Sequence, residues 1–162
     1  MCTERKYDYI RLISLVNDEE IKGMVSNIKD YCPEKILRKA PRVNEEKEIW
    51  RFVRGDKDKY PYFINNPKLF KKRSNGGRNK FNICIGCGLS VFLSKEETLL
   101  TIREKLPQQK FKIVRAKYRP ETGNLYITGV NKSPKHCTFF PCKGFDHDKF
   151  FEVVCEVWEG ES

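Results

Sequence analysis

Residues 78–162 constrain the fold most, because they carry an unbroken succession of element signals. Phe81-Asn82-Ile83-Cys84-Ile85-Gly86-Cys87-Gly88 mixes branched and small residues, and the composition predicts a strand over 82–87. Ser94-Lys95-Glu96-Glu97 then sets a hydroxyl cap ahead of a Glu at N3, the reciprocal arrangement that satisfies orphan amides at a helix start. Leu99, Ile102 and Leu106 follow on one helical face until Pro107 stops it. Strands are predicted around Val114 and Ile127, separated by the turn residues Pro120-Glu121-Thr122-Gly123-Asn124, and a further strand over 136–142. Asp146 can cap a closing helix through Phe150, Phe151, Val154, Cys155 and Trp158, although the valines at 153, 154 and 157 also favour strand.

The first half repeats parts of this order. Residues 7–16 alternate as a half-buried strand, and Asn17-Asp18-Glu19-Glu20 is a second capped start, predicting a helix over 18–31 with Ile21, Met24, Val25 and Ile28 on its buried face. Residues 35–48 read as a loop or a short broken helix around Pro41. Residues 48–54 and 60–65 then read as a hairpin about the polar turn Gly55-Asp56-Lys57-Asp58-Lys59. Strand, capped helix, strand, turn, strand thus occurs twice, which suggests a degenerate internal duplication. The expected architecture is α+β in two layers, a curved antiparallel sheet covered on one face by helices. Its two parts, 1–77 with a basic segment at 35–80 and 78–162, would form one compact unit.

The 162 residues carry a net charge of +10, very unevenly spread. Residues 1–34 hold 5 basic and 7 acidic side chains, residues 35–80 hold 15 and 5, and residues 81–162 hold 12 and 10, so the middle segment alone contributes +10. A local excess of this size is the electrostatic footprint of a polyanion-binding protein. Lys71, Lys72, Arg73, Arg78 and Lys80 flank Gly76-Gly77, a run that suits a flexible phosphate-contacting arm or a nuclear-import signal equally with an ordinary basic linker. No apolar run approaches the roughly 20 residues of a bilayer span. Seven cysteines and a polar N-terminus predict reduced thiols in an intracellular protein, nuclear in a eukaryotic cell, with no membrane partner.

The element order of residues 80–158 resembles one repeat of the TATA-box-binding protein fold. The likeness runs from Asn82-Ile83-Cys84-Ile85-Gly86-Cys87 through Ile113-Val114-Arg115-Ala116-Lys117-Tyr118-Arg119-Pro120 and Leu125-Tyr126-Ile127-Thr128-Gly129-Val130 to the strand at 137–140 and a long final helix. The resemblance implies a DNA-binding transcription factor that contacts duplex DNA and proteins of the transcription machinery. Asn82 would read the minor groove, Phe139 or Phe140 would wedge a base step, and Lys112, Arg115, Lys117 and Arg119 would face phosphates. The departures are that the first half matches as a partner repeat only through the internal likeness, and that no long helix separates Asn65 from Phe81.

Zinc competes for the same strand. Cys84-Ile85-Gly86-Cys87-Gly88 has the C-x-x-C-G form of a zinc knuckle, and Cys137 with Cys142 can complete a four-thiolate structural site, His136 serving as a substitute. One bound zinc would make the chain a zinc-stabilised protein- or RNA-interaction module. Against it, cysteines are small buried hydrophobes, and strand alternation would turn Cys84 and Cys87 to opposite faces. No enzyme is expected. There is no phosphate loop, Cys155 and His147 would sit about 12 Å apart along one helix, and His147 between Asp146 and Asp148 suits a solvated helix start. A metal-dependent nuclease is the remaining enzymatic alternative.

Overall fold

The computed structural model describes residues 12, 14–28, 37–38, 40–74, 80–105, 110–129 and 136–158. A seven-stranded antiparallel sheet organises them. Its strands are β1 (Arg42–Val43), β2 (Lys47–Val53), β3 (Leu89–Phe92), β4 (Lys110–Tyr118), β5 (Gly123–Ile127), β6 (His136–Pro141) and β7 (Glu152–Trp158), in the order β1-β5-β6-β3-β2-β4-β7. The α+β class and the curved sheet follow the sequence expectation.

Register decides which residues share a face, since paired residues point the same way. Ser90 pairs with Thr138, Phe92 with His136 and with Trp50, and Phe52 with Ile113. These residues, with Phe140 and Tyr126, define the convex face, and five helices cover it. These are α1 (Glu19–Ile28), α2 (Tyr62–Asn65), α3 (Pro67–Ser74), α4 (Lys80–Gly86) and α5 (Lys95–Lys105). Two apolar clusters divide the cover. Ile21, Val25, Phe63, Phe70 and Cys84 from α1 to α4 pack over Tyr126 and Phe140, whereas Leu99 and Ile102 from α5 pack with Trp50, Phe52, Phe111 and Ile113.

The concave face closes on itself. Ile49, Val53, Leu89, Val91, Val114, Ala116, Tyr118, Leu125, Cys137 and Phe139 form one buried cluster, plugged by Phe145, Phe150 and Phe151 around the single turn α6 (His147–Phe150). Curvature is strong enough that Tyr118 of β4 donates its hydroxyl to the carbonyls of Val43 in β1 (3.0 Å) and Gly123 in β5 (3.2 Å), strands far from β4 in the sheet order. The expected open sheet face bearing Asn and Phe for DNA is therefore filled by core.

Three predicted elements change identity. Residues 82–87 lie largely in α4, not in a strand: the Cβ a residue at Gly86 would carry falls 2.5 Å from the Phe70 ring, so α3 and α4 meet at this glycine. Residues 62–65 form α2 instead of the second arm of a hairpin, started by Pro61, whose locked φ of −59° suits a helix entrance. The closing helix lasts one turn, and residues 152–158 form the edge strand β7 on β4, as their β-branched valines favour. With 62–65 and most of 82–87 helical, two of the segments expected as strands in the proposed duplication are not strands. The predicted strand at 7–16 falls mostly outside the described residues, and Leu12 and residues 14–16, which are described, are not in a strand. The capped starts survive: Asp18 accepts from the amides of Glu20 and Ile21, and Ser94 from that of Glu97.

Candidate nucleic-acid interface

The residues expected to face phosphates divide sharply by their partners. On β4, Arg115 is held by Glu48 and Glu152, Lys117 by Glu46 at 3.8 Å, and Arg119 by Glu46 at 2.9 Å. The Glu152 hydrogen bond and the Glu48 charge together raise the Arg115 pKa above its ordinary value. Lys112 is exposed, but the rest of the expected basic strand is already neutralised by carboxylates on β2, β7 and the turn between β1 and β2.

The basic arm is partly helix. Lys71, Lys72 and Arg73 form the last turn of α3, anchored by buried Phe70. Lys71 turns inward to Asp18 and Glu20, both at 3.0 Å, and these bonds push its pKa up and that of Asp18 down. Lys68 and Lys72, one helical turn apart, are exposed and carry no ion pair among the described residues. Arg73 is exposed as well, its guanidinium 5.7 Å from the Tyr62 ring centre. Arg78 lies outside the described residues, and Lys80 and Asn82 are backbone members of α4. Asn82 thus stands on a helix over the convex face, away from any groove-reading strand.

Phe139 and Phe140 are corrected to core residues. Adjacent on β6, they point to opposite faces, Phe139 into the concave cluster at 0 % exposure and Phe140 under the helical cover at 1 %. A ring that must enter a base step has to be exposed.

The four candidate zinc ligands are not brought together. Cys84 and Cys142 are disulfide-bonded, which also departs from the expectation of reduced thiols throughout. Cys87 and Cys137 are buried and take no part in a disulfide. Burial pushes both pKa values up, that of Cys137 to about 12. Among the described residues no group of three or more His, Cys, Asp or Glu side chains is placed to hold a metal.

Two polar constellations escaped the sequence reading. Inside the concave core, Arg51 at 6 % exposure sets Nη1 2.7 Å from His147 Nε2, donates Nε to the Ser90 carbonyl at 3.3 Å and lies 5.9 Å from the Phe151 ring centre. His147 is a buried neutral imidazole, not a solvated cap. Burial, then the Arg51 charge, lowers its pKa to about 4. Arg51 at an inward position of Ile49-Trp50-Arg51-Phe52-Val53 was the available signal, because a buried guanidinium demands polar partners. On the convex face, Ser90, His136, Thr128 and Thr138 form a chain of side-chain hydrogen bonds, and only the register of β3, β5 and β6 assembles it. No described helix is long and apolar enough to cross a membrane. No protein-family model, curated protein or solved structure matches the chain.

Proposed function

We propose that the protein binds nucleic acid, duplex DNA in the first instance, through the exposed basic surface of α3 and the chain that follows it to residue 80. The observation that carries this reading is the confinement of the +10 excess to residues 35–80. Within that segment Arg54 is engaged with Asp58, Lys59 with Asp56 and Asp148, and Lys71 with Asp18 and Glu20. Lys68, Lys72 and Arg73 stay exposed, and Arg78 and Lys80 come next in the chain. Contacts of this kind are to the phosphate backbone, which positions a protein without reading bases.

Affinity should fall steeply with salt, with a log–log slope of about −0.9 for each duplex phosphate contacted. Replacing Lys68, Lys72 and Arg73 by Gln removes three cations, so the slope should become shallower by up to about 2.7. Arg115→Gln with Lys117→Gln should leave it unchanged, because those cations already have carboxylate partners. Affinity independent of salt, or equal competition by an acidic peptide, would overturn the reading in favour of an acidic protein partner.

A further inference from the structure

We infer that Ser90 is a nucleophile, with His136 as its base and Thr128 as the residue that positions the imidazole, in a site that accepts acyl groups from carboxylic esters. Ser90 is the one exposed residue of β3, whose other three side chains are buried. Its register partner Thr138 lies two residues from His136 on β6, so the serine hydroxyl and the imidazole lie side by side on one face. Ser90 Oγ is hydrogen-bonded to His136 Nε2. The other ring nitrogen, Nδ1, is 3.1 Å from Thr128 Oγ1, which is in turn 2.8 Å from Thr138 Oγ1.

The surroundings hold the imidazole from several sides. The amides of Thr128 and Gly129 both donate to the His136 carbonyl, at 3.1 and 2.9 Å, fixing the Thr128 strand end against β6. The Phe92 ring stands edge-on to the imidazole at 5.4 Å, and Arg51 holds the Ser90 carbonyl from within. The site lies on the convex face where β3 and β6 run between the cover of α1 to α4 and that of α5.

Proton direction decides the chemistry. When the Thr128 hydroxyl donates to Thr138, its lone pairs accept the Nδ1 proton, Nε2 is bare, and Ser90 donates to it. Run the opposite way, the chain puts a proton on Nε2 and leaves Ser90 inert. In the first direction Oγ attacks the ester carbonyl carbon, the Oγ–C bond forms, and the hydroxyl proton passes to Nε2. Collapse breaks the bond to the leaving alcohol, which takes that proton. Water then attacks the acyl-serine by the same route and releases the acid.

An irreversible probe reads the nucleophile directly. The full chain, without nucleic acid, is incubated with an alkyl fluorophosphonate, in which the serine oxygen replaces fluoride on phosphorus. One adduct per folded chain, mapped to Ser90 and lost in denaturant, is expected. Ser90→Ala should abolish it, and His136→Gln should slow it by roughly 100-fold, the contribution of one general base. Thr128→Val should slow labelling and Thr128→Ser restore it, with unfolding midpoints measured alongside. No adduct on the folded wild-type chain, labelling that survives denaturation, or equal rates for wild type and a folded His136→Gln variant would overturn the assignment.

Discussion

Lowering the pH from 7 to 4 should cost this fold about 3 kcal/mol at His147 alone. The imidazole is 8 % exposed, tilted over the Phe151 ring at 4.7 Å, with Nε2 facing the Arg51 guanidinium. Burial and that positive charge hold its pKa at about 4 against an ordinary 6.5, while Asp148 on the Nδ1 side pulls weakly the other way. At about 1.4 kcal/mol for each tenfold change in proton affinity, the fall from 6.5 to about 4 gives a full effect of about 3 kcal/mol. Between pH 6.5 and 4 the unfolded chain carries a proton on this ring that the folded chain does not, so protons favour unfolding across that window. The contribution is fully present above about pH 6.5 and gone near pH 4. Guanidinium unfolding of wild type and His147→Gln at several pH values isolates it, because carboxylates common to both cancel in the difference. Gln keeps an acceptor for Arg51. A difference flat from pH 7 to 4, or a His147 ring that titrates near 6.5 by NMR, would refute the buried-neutral assignment.

Two further outcomes test the fold. Protein purified without chelator should hold no stoichiometric zinc, and Cys84 and Cys142 should resist alkylation in denaturant until reductant is added; about one zinc per chain with all four candidate thiols alkylatable would restore the knuckle. Gly123→Ala should cost about 2–3 kcal/mol by unfolding midpoint, because the residue sits at φ +154° and its new Cβ would collide with the Phe140 carbonyl and lie 2.8 Å from the Phe139 ring. A loss below about 0.5 kcal/mol would show that β5 and β6 are not packed this closely.

What was legible in the sequence is what local chemistry decides. Asp18, Ser94 and Asp146 each cap a helix start, because a side-chain oxygen two or three residues before a free amide needs no tertiary help. Strands β2, β4, β5 and β6 also lie near their expected places, since alternation toward a buried face is a period-2 signal. Ile83-Cys84-Ile85 failed because its β-branched content competes with a contact invisible in sequence, the Phe70 ring against Gly86. Residues 152–158 carried the correct signal in their valines, outweighed by a cap that starts a helix of only one turn. The candidate sites were harder still. Ser90 and His136 are 46 residues apart, and Arg51 and His147 are 96 apart, so each pair exists only through strand register and the curl of the sheet.

The same register explains why the cations of β4 make a poor phosphate surface. Arg115 lies opposite Trp50 on β2 and Glu152 on β7, with Glu48 near enough for a second ion pair. Its guanidinium is therefore flanked by two carboxylates and rests 5.4 Å from the Trp50 ring centre. To bind a phosphate it would have to leave two carboxylate partners that are already placed. On α3 the partition differs within four residues. Lys71 points toward the capped start of α1 and is consumed by Asp18 and Glu20, while Lys68 and Lys72 project from an exposed strip of the same helix. Helical period alone separates the structural cation from the two that remain for a partner, since residues 68 and 72 are neighbours on the surface. Charge counting over residues 35–80 therefore overstates the available positive surface, and the cations that matter are those the fold leaves exposed and unneutralised.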